Sequence, residues 1–365
     1  MNDKNDKNKV GIKKYIGILE SETDNFGLRF ATAEDSKSIS NIMYDGYKYE
    51  YLTPEVYSES KLQKHLQDPD EFWWVAESLD GKSEPIAVCF AQKTSEYSIY
   101  AGKTVVKSKF RGKGIANKLG VQSLQSLFRQ PKYQNLLRLE VDVRSTQVNA
   151  QVVSNTIGCV SIGFVPNYNN YADKRNYNPS TGVPYTSGKK EAVVLFFVPL
   201  NDFWKKRSNN VVLYNHPSIV SFYDLMRRTN KKMKFDTLEL LSEASLTEEN
   251  FSVKVDYFKG NVKLLGLIQK KAFLSLMETY KGWNVIEWRI PATIEGVSNQ
   301  KIALEQEFIV AGYDPGHLKK GDQLIDCIIL CKFPRGVDKS QFDKMNLTKK
   351  NKFIADHVLE QLDIK

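Results

Sequence analysis

Arg111-Gly112-Lys113-Gly114-Ile115-Ala116 restricts the fold more than any other stretch of this chain. Its two glycines stand between a β-branched run, Thr104-Val105-Val106, and an apolar helix face marked by Ile115, Leu119, Leu124, Leu127 and Phe128. That order specifies strand, tight turn, helix. Such a turn aims several backbone N–H groups at one anion, and the helix N-terminus adds partial positive charge. Gly112 and Gly114 let a ligand approach without a Cβ in the way, Ala116 is nearly as small, and Arg111 and Lys113 add full charges. The segment reads as a diphosphate cradle or, on these six residues alone, as an ordinary strand-to-helix turn.

At 365 residues and 41% hydrophobic content the chain is long enough for two domains. It has no run of eighteen apolar residues, and Met1 to Lys14 is polar and lysine-rich, so neither membrane insertion nor secretion is indicated and a cytoplasmic location is expected. Cys89, Cys159, Cys327 and Cys331 sit in apolar, strand-like surroundings without metal-knuckle spacing and read as reduced core thiols. No metal is expected. The net charge of +9 is spread over segments such as Lys205-Lys206-Arg207, Arg227-Arg228 and Lys319-Lys320, which disfavours a nucleic-acid surface and suits a phosphorylated cofactor.

The pattern along the chain is α+β. A flexible polar N-terminus, residues 1–26, precedes a strand at Gly27 to Phe30 and a capping turn, Thr32 to Asp35, into a helix through Ile39, Ile42 and Met43. Strands at Phe72 to Ala76 and Pro85 to Ala91, joined by the turn Asp80-Gly81-Lys82, and a third from Tyr97 to Val106 form an antiparallel meander. After the glycine turn come a strand at Leu136 to Val143, a helix near Ala150 to Thr156 and a late strand, Ala192 to Val198.

Part of this arrangement recurs. Gln151 and Gly163 reappear at the same spacing as Gln300 and Gly312, and Gly163-Phe164-Val165-Pro166 matches Gly312-Tyr313-Asp314-Pro315. The strand Ala192 to Phe197 corresponds to Cys327 to Cys331, and Val285 to Trp288 takes the place of Leu139 to Val141. The second copy has one glycine, Gly266, where the first has its glycine-rich turn, so a single cofactor site is expected.

Val106 through Ala116, the Leu139-Glu140-Val141 strand, and a later helix ending in Gly158-Cys159 resemble the GCN5-related N-acetyltransferase (GNAT) family. The resemblance covers residues 27–205. Residues 206–365 resemble, more weakly, the degenerate second domain of bimodular members. It implies a GNAT-like mixed central sheet flanked by helices, followed by a second, degenerate α/β domain, and acetyl-CoA or another acyl-CoA as cosubstrate. Carried over by position, Arg111, Gly112, Lys113, Gly114, Ile115 and Ala116 hold the pyrophosphate, while Thr104, Val105 and Val106 lend backbone groups to pantetheine. Asn149 and Asn155 are further cofactor-binding candidates.

The implied activity is direct attack of a small-molecule amine on the thioester, which needs a base. Glu140 is the candidate, its pKa raised by apolar neighbours; the other reading puts it on a polar strand face with Arg138 and Asp142. Family members often carry a tyrosine on the later helix as general acid. Here Gln151 to Ile157 has none, leaving Tyr168 or Tyr171, in a loop, as substitutes. The insertion Asn167 to Lys190 reads as a substrate lid or a plain surface loop. Tyr44, Tyr47, Tyr49 and Tyr51 form one wall of the acceptor site or pack on the surface, and His317 is a candidate for a cleft position. The alternative to an enzyme is a non-catalytic acyl-CoA-binding regulatory module.

Overall fold

A computed structural model describes residues 15–21, 24–79 and 84–364. The polar stretch Met1 to Lys14 and the expected turn at residues 80–82 lie outside the described residues. The chain forms two compact units. The first comprises its described residues up to Lys48, then Glu55–Lys93 and Gly102–Gln134. The second comprises Tyr49–Pro54, Thr94–Ala101 and the chain from Asn135 onward.

The first unit contains β1 (Gly17–Glu20), β2 (Asn25–Phe30), α1 (Ser36–Tyr47), α2 (Glu59–Gln67), β3 (Glu71–Ser78), β4 (Pro85–Lys93), the later half of β5 (Ser98–Val106) and α3 (Ile115–Phe128). β1 to β4 pair antiparallel in sequential order, with Trp74 opposite Cys89; of the expected meander this gives the β3–β4 pair, and β5, its third strand, lies beside β4. The fold starts earlier than residue 27, because β1 hydrogen-bonds along β2 and buries Leu19. The capping turn is present: Asp35 accepts from the Thr32 N–H at 2.8 Å, and α1 buries Ile39, Ile42 and Met43. Arg29, almost wholly buried, is bound by Asp35 and Glu77 at 2.8 Å each, which compensates three charges taken from water together.

The second unit contains β6 (Arg138–Arg144), α4 (Val148–Thr156), β7 (Val160–Tyr171), β8 (Lys189–Pro199), the single turn α5 (Phe203–Lys206), β9 (Asn210–Tyr214), α6 (Pro217–Thr229), β10 (Thr237–Leu241), β11 (Asn250–Asp256), β12 (Asn261–Leu267), α7 (Lys270–Tyr280), β13 (Val285–Pro291), α8 (Ile294–Glu305), β14 (Ile309–Lys320), β15 (Gln323–Lys332) and α9 (Lys349–Glu360). Its sheet is mixed. From the early half of β5 the order runs β6, β8, β7, β14, β15, β13, β12, β11, while β9 and β10 pair in parallel as a separate ribbon.

That order is a palindrome about the β7/β14 contact, and the sequence repeat is its cause. Gly163 of β7 pairs with Gly312 of β14. A Cβ on Gly163 would lie 2.7 Å from the Ala311 carbonyl, and one on Gly312 2.6 Å from the Ile162 carbonyl, so only glycine allows the strands to meet. The bulges also repeat: β7 shifts register at Ser161/Gly163 and Val165/Asn169, β14 at Val310/Gly312 and Asp314/Leu318. The repeated glutamines do the same work. Gln151 Nε2 donates to the Arg144 carbonyl and Gln300 Nε2 to the Pro291 carbonyl, each tying a helix to the end of the strand before it.

The compact units therefore do not follow a boundary at residue 205. β6 to β8 pack with the C-terminal half, because the core joins Phe164, Val194 and Phe196 to Tyr313, Ile328 and Leu330 around the glycine contact. All four cysteines are buried and unbridged, as expected. Among the described residues no helix is long and apolar enough to cross a membrane.

Candidate functional site

In the first unit Thr104, Val105, Val106 and Arg111 to Ala116 form one continuous piece of chain. β5 contains a left-handed residue, Lys103 (φ 51°), before its last three positions; Thr104 is exposed and donates its hydroxyl to the Cys89 thiol at 3.4 Å, while Val105 and Val106 are buried. A short 3-10 turn, Ser108–Phe110, follows, and the Ser108 hydroxyl and N–H donate to Asp45. Arg111 Nε donates back to the Val106 carbonyl at 3.0 Å, which steadies the turn.

Gly112 (φ 81°) and Gly114 (φ 72°) adopt the left-handed conformation the turn requires. A Cβ at either would meet nothing within 4 Å, so the space above them is open. Gly114 caps α3 without a side-chain hydrogen bond, leaving the first N–H groups of the helix available to an anion. Burial of Ile115, Leu119, Leu124 and Leu127 fixes α3 beneath the turn, and Arg111, Gly112, Gly114 and Ala116 remain exposed. Lys113 is bound to Asp24 at 2.5 Å, so its charge is partly spent within the protein.

The second unit holds Glu140, and here the expectation of a raised pKa is corrected. Burial works in that direction, but Arg138, His317 and Arg289 outweigh it and hold the carboxyl below its usual range. The Ser98 hydroxyl donates to Glu140 Oε1 at 3.2 Å; Arg138 Nε lies 3.4 Å and His317 Nδ1 3.6 Å from the same oxygen, and Arg289 Nη1 is 3.9 Å from Oε2. Behind it, wholly buried Asp314 binds Arg138 Nη2 and Arg289 Nη1 at 2.5 Å each. Arg289 also binds Glu287 at 2.7 Å. Burial and Arg289 push His317 down, against the pull of Asp314 and Glu140. The face Arg138, Glu140, Asp142 is thus not an ordinary solvent face: it lies under residues of the other repeat, with Glu140 retaining 21% of its side-chain exposure.

Tyr168 and Tyr171 are corrected too, since both are buried within β7 and not in a loop. The strand continues because Asn169, Asn170 and Tyr171 pair with Glu191, Lys190 and Lys189 of β8. The Tyr168 ring lies beneath the ammonium groups of Lys259 and Lys263, at 4.8 and 5.2 Å, and that of Tyr171 beneath the Arg144 guanidinium at 4.6 Å. Asn149 is exposed in the first turn of α4; Asn155 has a buried Oδ1 with no hydrogen-bond donor.

The segment after β7 is anchored, since Tyr177 packs edge-on against Tyr185 and Phe258 and the Tyr185 N–H donates to the Tyr257 carbonyl at 2.8 Å. Tyr51 is buried, Tyr49 carries the Arg175 guanidinium 3.4 Å above its ring, Tyr44 is exposed and Tyr47 half-exposed.

The second copy closes its own counterpart of the end of β5. β12 and β13 pair in parallel, as β5 and β6 do, and Gly266 (φ 97°) stands where β5 has Lys103. Asn299 of α8 then fills both backbone positions of Ile268, accepting its N–H at 2.9 Å and donating to its carbonyl at 2.8 Å. The Trp288 indole donates to the Gly266 carbonyl at 3.0 Å. Removing the Asn299 side chain exposes a buried donor and acceptor. Asn299→Ala is expected to destabilise the protein by about 1–3 kcal/mol in chemical denaturation.

Sequence reasoning missed Arg138, Arg289 and Asp314 as the charges around Glu140. Arg289 is a charge set in the otherwise apolar end of β13.

No protein-family model matches the chain, and no curated protein matches it. Its structure is similar to those of GNAT acetyltransferases. The ribosomal-protein-S5-alanine acetyltransferase from Vibrio fischeri is 16% identical (TM-score 0.38), with 51% of this chain and 98% of that one covered. The spermidine/spermine N-acetyltransferase SpeG from Vibrio cholerae, in mutant forms, is 17% identical (TM-score 0.36; 49% and 98%). An N-acetyltransferase from Staphylococcus aureus Mu50 is 16% identical (TM-score 0.37; 48% and 99%).

Proposed function

We propose that the chain is an acetyl-CoA-dependent N-acyltransferase acting on the amine of a small molecule. The observation that carries this reading is the open turn of Gly112 and Gly114, both left-handed, ahead of a helix whose first N–H groups no side chain caps. Arg111, Gly112, Lys113, Gly114, Ile115 and Ala116 would hold a diphosphate there, and Thr104 to Val106 would offer backbone groups to the pantetheine arm. Acetyl-CoA supplies the activated acyl group. Glu140, ionised and partly exposed, would receive the proton of the attacking amine directly or through water, and His317 at 3.6 Å is its neighbour for passing that proton on.

The test is a calorimetric titration with acetyl-CoA, followed by a thiol-release screen of amines. Glu140→Gln is expected to retain acetyl-CoA affinity and lower kcat/KM by about 10²–10⁴-fold. Because the Glu140 carboxyl is held down, the acid limb of kcat/KM should fall below the pH of about 4.3 at which an unperturbed glutamate titrates, and a limb above pH 6 would assign the base elsewhere. The ionic grip on Glu140 favours one second reading, a regulatory module that binds acyl-CoA without turnover. Affinity with no thiol release from any amine would select it.

A further inference from the structure

The glycine turn ahead of α3 is held by more than its own strand and helix, because α1 reaches it as well. Asp45 lies in the last turn of α1, where the negative end of the helix opposes a carboxylate and no basic residue of that turn offsets it. Its carboxylate meets the segment between β5 and α3. The Ser108 N–H donates to Oδ2 at 2.5 Å, and the Ser108 hydroxyl lies 2.8 Å from Oδ1 and 2.7 Å from Oδ2. Burial of Asp45 is slight and is outweighed by these bonds, with Arg111 and Lys48 behind them, so the carboxyl is held below its usual range. Gly46 brings the helix end close. A Cβ there would lie 2.8 Å from Val105 Cγ1 and 3.6 Å from Arg111 Nη2, so the last turn of α1 sits against the end of β5 and the start of the glycine turn.

Ser108 is where this contact enters the turn. It opens the 3-10 turn that delivers the chain to Gly112, in which the Phe110 N–H donates to the Lys107 carbonyl at 2.9 Å and the Arg111 N–H to the Ser108 carbonyl at 3.2 Å. On the other side the Lys107 N–H donates to the Ile86 carbonyl of β4 at 2.9 Å. The approach to Gly112 is thus fixed from two elements, β4 through Lys107 and α1 through Asp45. Charge alone argues against the second of these. A carboxylate at a helix C-terminus and beside a turn that takes an anion is disfavoured on both counts. What offsets this is that one side chain accepts both donors of Ser108 and so fixes where the turn begins.

We propose that Asp45 is a positioning residue for the cosubstrate: by holding Ser108 it sets the N–H groups from Gly112 to Ala116 where a diphosphate takes them. This rests on the reading of that turn as the acyl-CoA site. The hydrogen bonds of Asp45 favour the ligand while its charge opposes it, and substitution separates the two.

Acetyl-CoA affinity is measured by calorimetry on the full chain, with a melting curve confirming that each variant is folded at the assay temperature. Asp45→Ala removes the bonds and the charge together, and is expected to weaken acetyl-CoA about tenfold, the low end for hydrogen bonds to a charged group, since lost repulsion returns part of the effect. Asp45→Asn keeps an oxygen for the Ser108 N–H without the charge, and should bind as tightly as the wild type or tighter. Ser108→Ala should fall between Asp45→Ala and the wild type, and Ser108→Thr, which keeps a hydroxyl, should restore the affinity. The double variant Asp45→Ala with Ser108→Ala should be no weaker than Asp45→Ala alone, because both break one contact. An Asp45→Ala variant that binds as well as the wild type, or losses that add in the double variant, would overturn the proposal. If Asp45→Ala fails to fold, the comparison of Ser108→Ala with Ser108→Thr decides, and equal affinity in those two would overturn it. A wild type without acetyl-CoA affinity removes the cofactor reading and this role with it, whereas wild-type affinity untouched by Asp45→Ala removes this role alone.

Discussion

Ala116→Glu is expected to weaken acetyl-CoA binding by about 30-fold or more while leaving the free protein as stable as the wild type, or slightly more so. The two readouts move apart for one reason. Ala116 is exposed in the first turn of α3, where a carboxylate faces the uncapped N–H groups and the positive end of the helix. In the free protein that placement is favourable by a few tenths of a kcal/mol. With a diphosphate on the same groups, the new charge opposes it at short range, on the order of 2 kcal/mol at the dielectric of a protein surface. Calorimetry gives the first effect and a melting curve the second. A Gly114→Ala variant makes the contrast: its φ of 72° would strain any side chain by about 1 kcal/mol, so it should lose stability as well as affinity. Unchanged acetyl-CoA affinity in Ala116→Glu would remove the diphosphate from this turn.

The largest stability effect is expected at Asp314. Its side chain is wholly buried and holds two guanidinium groups, Arg138, itself wholly buried, and Arg289. Asp314→Asn keeps the shape and removes the charge, taking from each arginine its shortest ion pair and leaving Glu140 and Glu287 as their carboxylates. Breaking such a group costs about 3–5 kcal/mol, which for a unit of this size lowers the melting temperature on the order of 10 °C. The pH dependence follows from the direction of the shift. Arg138, His317 and Arg289 overcome burial and hold the folded Asp314 carboxyl far below the value of about 3.9 it has in an unfolded chain. The folded form therefore binds fewer protons, and this stabilisation is complete above about pH 5 and lost as the pH falls. The wild type should lose melting temperature steeply below pH 4, and Asp314→Asn should be flatter there. Equal slopes would show that the pair is not what acid disrupts.

Local chemistry was legible where backbone geometry depends on residue type. The glycine turn was readable because few residues other than glycine tolerate a left-handed conformation at Gly112 and Gly114, and the helix after it because Ile115, Leu119, Leu124 and Leu127 keep helical spacing. The repeat was readable from Gln151/Gln300 and Gly163/Gly312 because each is held by a hydrogen bond or a close approach that tolerates little else.

What was not legible depends on what covers what. Alternation assigns Arg138, Glu140 and Asp142 to one face of β6, but cannot say that Asp314 and Arg289 arrive from the other repeat to bury it. The same gap misplaced Tyr168 and Tyr171: Asn, Tyr and Asn in succession have loop composition, and only pairing with β8 makes a strand of them. The lowered Glu140 pKa has the same origin, because His317 and Arg289 come from distant sequence.

The meeting of Gly163 and Gly312 also has a bearing on how the molecule is able to vary. An interface between two identical chains presents every substitution twice, once on each side of the axis, and must tolerate both copies together. Here the two sides are encoded at separate positions of one chain, so each can change while its counterpart stays. Tyr168 and His317 occupy matching places on the two bulged strands and already differ, as do the open glycine turn ahead of α3 and the asparagine-filled one ahead of α7. With both halves in one chain, one copy can close a turn that a symmetric pair would have to keep open twice or close twice.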